Sequence, residues 1–524
     1  MDFFKKNWVV ILIFLIAAIF RFWQINGLPG GLFPDEAANG LDVNEILNGN
    51  IQPFYERGNG REALFFYFLA LSVAIFGRGV WQHHVVSAGF GLMATFAIYF
   101  LVKRMFGKRT ALLASFFMAI SSYAVTISRT AFRANTIPLF TTLTLLFLVK
   151  YFQEKNIRTK IYSAVFAGLS FGLGFYTYIS SRMMIPLLFG FALLILFAVR
   201  DQLKSKILEH KRAIFAFAAS FLIAFSWLGL YFVQHPENIV GRAGQVSIFS
   251  PDLNKGDVVG TFLNVSKKTA KSFFTEGDLN WRHNVSGFPF LSPFLSPFFA
   301  IGLIIFSIEF LKLLKQVWLK KIEPQTVYKS LVAVWFWFML IPEITTAEGI
   351  PHGLRLIGVI PAIFILPAWV LNFLWEKIKA FSYLRPTRAM FAGIFLLFLF
   401  VYNFQLYFVT AAKSPEYYYT FRSDLTEVSD YLNKRNQKNK TYLSLDAFSV
   451  QTVDYLTTET NKPYHLILPE KTYEARLNRG DQVIFTQSTI FDEKKFRDYH
   501  PEAKLIVKKT NQFGEIIMMV YERL

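Results

Sequence analysis

Apolar residues in this chain collect in long runs separated by short charged links. Runs long enough to cross a bilayer core of about 30 Å lie near residues 8–25, 85–102, 110–128, 135–152, 161–180, 183–199, 213–233, 295–314, 330–347, 355–374 and 389–408. The pattern predicts eleven membrane-spanning helices. A further segment, Glu62–Phe76, is apolar enough to compete, and charge decides its course. If it lies along the surface, the basic links Lys103-Arg104…Lys108-Arg109, Lys155…Arg158…Lys160, Arg200…Lys204…Lys211-Arg212, Lys315…Lys320-Lys321 and Lys377…Arg388 all fall on the cytoplasmic side with Lys5 and Lys6. If it crosses, all five links flip outward against the positive-inside tendency. Glu62–Phe76 is therefore read as an outer juxtamembrane helix.

The same parity places the N-terminus in the cytoplasm and the acidic loop 26–60, the loop 234–294, the link around 348–354 and the C-terminal tail outside. From Ser414 the pattern becomes that of a water-solvated domain. A charged helix, Ser423–Arg435, is followed by short strands at Lys440–Leu445, Tyr464–Leu468, Gln482–Phe485, Lys504–Val507 and Ile516–Tyr521. The expected fold class is mainly α: a polytopic membrane helical bundle over residues 1–413, with a small extracytoplasmic α/β domain over 414–524.

Composition supports a chain solvated by lipid. Of 524 residues, 53% are hydrophobic and 60 are phenylalanine, well above a water-soluble average. The net charge of +19 sits in the links between apolar runs, where it reads as an orientation signal, so nucleic acid is not an expected partner. The absence of cysteine rules out disulfides, Cys-ligated zinc and thiol catalysis. Lys5 and Lys6 before the run Trp8–Trp23 resemble a signal peptide, but no small-residue cleavage site follows, so the run is read as a retained first helix. Gly168-Leu169-Ser170-Phe171-Gly172 reads as close helix packing. Three sequons, at Asn264, Asn284 and Asn439, arise often enough by chance to carry no weight.

Candidate chemistry starts at Asp35 and Glu36, in Phe33-Pro34-Asp35-Glu36 beyond the first apolar run. Two carboxylates beside a membrane interface are costly unless used or neutralised. Pro34 and the two acids also suit the positive start of a helix Glu36–Leu47, and both readings stand. Arginines at outer helix ends run against the orientation rule. Arg129 and Arg133 flank one outer turn, Arg182 follows Tyr178, Arg355 follows His352, and Arg61 with Glu62 opens the juxtamembrane segment. One such arginine reads as a headgroup contact; four or more at one face suit the phosphate of a lipid carrier. His283 and His352 lie outside any zinc-binding spacing and read as hydrogen-bonding groups. No Gly-x-Gly-x-x-Gly, nucleophile elbow or Ser-His-Asp pattern occurs. No cofactor is called for, and a divalent metal stays open.

The Asp-Glu pair in the first outer loop resembles the motif of the C-type integral-membrane glycosyltransferases, in particular the bacterial relatives of protein O-mannosyltransferases and lipid A aminoarabinose transferases. The resemblance runs to about Asn403. It extends through Asn59-Gly60-Arg61-Glu62-Ala63-Leu64, Arg129…Arg133-Ala134-Asn135, Tyr176…Tyr178…Arg182, Arg282-His283-Asn284-Val285-Ser286-Gly287 and Pro351-His352-Gly353-Leu354-Arg355. It departs at Arg61-Glu62-Ala63, where several relatives carry Lys-Pro-Pro. The resemblance implies transfer, with inversion, of a sugar from a polyprenyl-phosphate donor to a hydroxyl on a protein, lipid or glycan acceptor at the cell membrane. Asp35 is the expected base. Glu36, Arg61, Glu62, Arg129, Arg133, Tyr178, Arg182, Arg282, His283, Asn284, His352 and Arg355 are the expected substrate-binding residues. The competing reading is a transporter or flippase of lipid-linked saccharides, which would place charges near the bilayer midplane and show repeated broken helices; here charges gather at one face.

Overall fold

The computed structural model describes residues 2–58, 60–239, 244–378, 385–435, 439–457 and 464–524. Asn59, the side chains of Lys5 and Lys6, and the middle of the basic link Lys377–Arg388 lie outside the described residues. The chain divides into two compact units, Met1–Trp23 with Gln52–Phe65 and Val86–Thr410, and Gln24–Ile51 with Phe66–Val85 and Ala411–Leu524.

The membrane-type helices follow the apolar runs. In chain order the elements are α1 (Asp2–Phe22), α2 (Pro34–Leu47), α3 (Leu64–Phe76), α4 (Trp81–Phe106), α5 (Lys108–Ile120), α6 (Ser122–Arg129), α7 (Ile137–Gln153) and α8 (Ile157–Gly174). They continue with α9 (Met184–Ala198), α10 (Leu203–Gln234), α11 (Pro251–Asn254), α12 (Val258–Ser272), α13 (Ser296–Trp318), α14 (Pro324–Ile344), α15 (Ile360–Ile378) and α16 (Arg385–Phe404). Among the described residues eight helical stretches are long and apolar enough to cross a membrane, and the bent pair α5 and α6 makes a ninth if counted as one span. Each of the eleven apolar runs coincides with a helix or with that pair. α1 and α8, at the runs 8–25 and 161–180, fall short of the length or apolarity that the other spans reach.

α3 has 13 residues, about 20 Å at 1.5 Å per residue, too short for a bilayer core of about 30 Å. One detail differs from the expectation that Arg61 and Glu62 open this helix. They form instead the second strand of a two-residue hairpin, with Phe54 opposite Glu62 and Tyr55 opposite Arg61, and the helix starts at Leu64. The hairpin is held by apolar packing, since Phe54 is buried with Phe175, Tyr176, Leu228 and Phe232.

α5 and α6 meet at Ser121 with a bend of 58°. A break inside a membrane strands the last carbonyls of the first half-helix, which then need donors from elsewhere. Arg21, near the end of α1, supplies them: its Nη1 donates to Ala119 O at 3.0 Å and its Nη2 to Met118 O at 3.1 Å. Arg129, at the end of α6, returns the favour to α1, donating to Phe20 O at 3.1 Å and Trp23 O at 2.8 Å.

The second unit contains a five-stranded sheet. Its strands are β1 (Thr441–Ser444), β2 (His465–Ile467), β3 (Gln482–Thr486), β4 (Ala503–Thr510) and β5 (Ile516–Arg523), all at the positions that alternation in the sequence indicates. The order is β2-β1-β3-β5-β4, parallel across β2, β1 and β3 and antiparallel at β3, β5 and β4. Short helices α17 (Pro415–Thr420), α18 (Ser423–Lys434), α19 (Val450–Leu456) and α20 (Glu493–Tyr499) accompany it. Leu425, Val428 and Leu432 from α18 pack with Leu443, Ile484 and Val520, while Phe485, Phe496 and Tyr521 form a separate cluster.

α2 belongs to this same unit. Leu32, Ala37, Val80 and Tyr455 share one buried cluster, and Thr452 of α19 donates its hydroxyl to Leu32 O at 3.0 Å. Two glycines permit the fit. A Cβ on Gly31 would stand 2.3 Å from Phe421 O and 2.5 Å from Ser423 N, and one on Gly40 would stand 2.4 Å from the Tyr455 ring.

Candidate functional site

Asp35 sits in the first turn of α2 with an exposed side chain, while Glu36, one residue on, is fully buried. The local sequence explains the split. Pro34 opens the helix, and Glu36 at the third helical position reaches back to accept from the backbone N–H of Phe33 at 3.1 Å, which satisfies a donor that every helix start leaves orphaned. Its other oxygen lies 3.3 Å from Nε2 of His84, also fully buried. Glu36 thus anchors the helix start and leaves Asp35 at the surface.

Glu62, on the hairpin strand, is the meeting point of two arginines. Arg133 Nε donates to it at 3.1 Å and Arg182 Nη2 lies 3.7 Å away. Arg133 also donates to Gly60 O at 3.2 Å and lies over the Tyr178 ring at 5.2 Å, and Arg182 lies over Phe232 at 5.3 Å. The glutamate side chain is 3% exposed while the two arginines keep about a fifth of theirs in contact with solvent, at 19% and 20%. Two guanidiniums on one carboxylate leave an excess positive charge on the open side. Arg61 is buried on the same strand.

Arg129 is fully buried. Besides its bonds to the end of α1, its guanidinium lies 5.3 Å from the Tyr407 ring and 5.5 Å from Phe408. The structure therefore places it in the helix frame, with two of its donors on backbone carbonyls.

The remaining expected residues converge elsewhere in the first unit. His283 Nδ1 pairs with Asp278 Oδ2 at 2.8 Å, and that same oxygen accepts from Gly353 N at 2.8 Å. This ties the turn after α12 to the loop after α14. The His283 and His352 rings lie 4.3 Å apart, and His352 N donates to Glu343 Oε1 at 2.9 Å. Asn284 donates to Phe288 O, Arg282 Nε contacts Asn280 Oδ1 at 3.3 Å, and Thr130 donates to Arg282 O. Arg355 donates to Glu348 O and lies 3.9 Å from its carboxylate. Burial pushes the His283 imidazole below its ordinary value, with Asp278 pulling it partway back, and burial beside His283 and Arg355 holds His352 well below. Both rings are neutral at pH 7.

Sequence reasoning passed over His84, Asp278, Glu343 and Arg21. Arg21 and Glu343 each interrupt an apolar run, which is a signal in itself. Asp278 and His84 carry no such mark.

Residues 63–228 match the family of dolichyl-phosphate-mannose-protein mannosyltransferases. No curated protein matches by sequence. Among solved structures, ArnT from Cupriavidus metallidurans in the apo state superposes with a TM-score of 0.55 at 12% identity, covering 99% of this chain and 98% of that one. The same protein bound to undecaprenyl phosphate gives 0.53 at 12% identity with the same coverage. The chain has the fold of the C-type membrane glycosyltransferases. The archaeal oligosaccharyltransferase AglB from Archaeoglobus fulgidus, in complex with an inhibitory peptide and a dolichol-phosphate, shares this C-type fold at a TM-score of 0.54 and 14% identity, over 99% of this chain and 75% of that one. The mannosyltransferase match begins at Ala63, just after the hairpin, and runs through Arg129, Arg133, Tyr178 and Arg182.

Proposed function

We propose that this protein transfers a sugar from a polyprenyl-phosphate carrier to a hydroxyl acceptor on the outer side of the cell membrane, inverting the anomeric centre. The observation that carries the reading is the Arg133–Glu62–Arg182 cluster within a C-type glycosyltransferase fold. A buried carboxylate holds two guanidiniums that keep about a fifth of their surface open to solvent, an arrangement suited to the oxygens of a lipid phosphate. The solved relatives that bind undecaprenyl phosphate or dolichol-phosphate support the donor class.

In this reading the acceptor oxygen attacks the anomeric carbon as Asp35 takes its proton, and the bond from that carbon to the phosphate oxygen breaks. The phosphate departs as an anion whose charge Arg133 and Arg182 offset, so no protein acid is required. Glu36 acts through the helix start, holding Asp35 in place. The basic links put the N-terminus in the cytoplasm and the chemistry outside, and residues 414–524 act as an extracytoplasmic domain.

The test is transfer by the purified protein in lipid nanodiscs, with a panel of labelled polyprenyl-phosphate sugars. Wild type should use at least one of them. Asp35→Asn should reduce turnover by about 100-fold or more with donor KM little changed. Arg133→Lys keeps the charge but loses the fork, and should raise donor KM by about tenfold or more. Absence of transfer from every donor, or an Asp35→Asn enzyme as fast as wild type, would overturn the reading.

A further inference from the structure

We propose that Asp278, His283 and His352 bind one first-row divalent cation, with zinc the best fit. One donor atom from each of the three lies within 4.8 Å of the donors of the other two. Two imidazoles and a carboxylate are borderline ligands that suit zinc and its neighbours, whereas magnesium and calcium prefer oxygen alone. Donors bound to a zinc ion at 2.0–2.2 Å stand roughly 3.3–3.5 Å apart, so an ion would draw the two loops inward by about an ångström. The fourth position would be open to water.

Two further features support an ion over a plain hydrogen-bonded cluster. His352 Nδ1 is buried and has no hydrogen-bond partner among the described residues, so a lone pair or proton there is left unsatisfied. Asp278 and His352 are each held from behind: Gly353 N donates to the carboxylate, and Glu343 accepts from the His352 backbone. Such outer contacts are what orient metal ligands.

The ion would staple the turn after α12 to the loop after α14, two segments that are otherwise joined by the Asp278 hydrogen bonds. The proposal does not rest on the transferase reading, and its test reads binding alone. Full-length protein in detergent is stripped with chelator, then titrated with Zn2+ and, separately, with Co2+. Wild type should take up one equivalent of either and gain thermal stability with Zn2+. His352→Gln should weaken Zn2+ binding by at least 100-fold, and Asp278→Asn by about 10–100-fold or more. His352→Cys restores a ligand. Because the natural chain has no cysteine, a thiolate-to-Co2+ absorption band in that variant can arise only at position 352. Failure of wild type to bind either ion stoichiometrically would sink the proposal whether or not the variants fold. So would unchanged binding by His352→Gln, or a His352→Cys protein that takes up Co2+ without the thiolate band.

Discussion

Arg21 and Arg129 each finish a helix other than their own. The first, from α1, takes the stranded carbonyls at the end of α5; the second, from α6, takes those at the end of α1. Both are fully buried, and each places a positive charge where a helix carries its negative end. The bend at Ser121 is therefore a built feature, since the carbonyls it frees are already assigned.

Arg21→Met should lower the thermal unfolding midpoint in detergent, because it leaves two buried carbonyls without donors, at roughly 1–3 kcal/mol each. Arg21→Lys should recover only part of the loss, as one ammonium cannot reproduce the fork. Scanning fluorimetry of the three proteins side by side is the measurement. Equal midpoints for wild type and Arg21→Met would show that the cap contributes nothing.

Gly40 predicts a pairwise effect. Gly40→Ala drives a methyl group into the Tyr455 ring, an overpacking that costs about 1–3 kcal/mol. Tyr455→Leu vacates part of that space, so the double variant should lose less than the sum of the two single variants. A double-mutant cycle on unfolding midpoints reads the coupling, and strict additivity would mean that α2 does not pack on α19 as described.

The two histidines set a pH dependence in chelator-treated protein. Their folded values lie below the ordinary imidazole value of about 6.5, so in acid the unfolded chain binds protons that the folded chain refuses. The contribution of these two groups to stability should be flat above about pH 6.5 and fall as pH drops below it. His352→Gln removes one of the two groups and should make the fall shallower. Unfolding midpoints measured from about pH 7.5 down to about pH 5.5 decide, and an identical slope in the variant would show that His352 does not resist protonation.

What could be read from residue order follows the range of the forces involved. The helices at the apolar runs and the five strands rest on local periodicity and appear where it places them. The surface helix starts two residues later than the sequence pattern suggests, because Arg61 and Glu62 look helical until Phe54 finds its apolar neighbours across the chain. The Glu62 cluster was legible as a set of misplaced charges, though which arginine meets which acid was not. Arg129 illustrates the limit: its position at an outer helix end suggests phosphate, and only the fold brings it to the open carbonyls at the end of α1. The Asp278, His283 and His352 cluster was invisible, since its members are spread over a stretch that includes two membrane helices and only folding aligns them.

The two glycines that press α2 against the C-terminal region also constrain how this protein can change over time. Gly31 meets a bare stretch of backbone at Phe421–Ser423 and Gly40 meets an aromatic ring, so neither contact tolerates a reshaped neighbour. Exchanging residues 414–524 for those of another protein would leave the helix bearing Asp35 facing a foreign surface. Segments at opposite ends of the gene are thus bound to a common history, and a graft meant to alter acceptor preference has to carry residues 24–51 along with the tail.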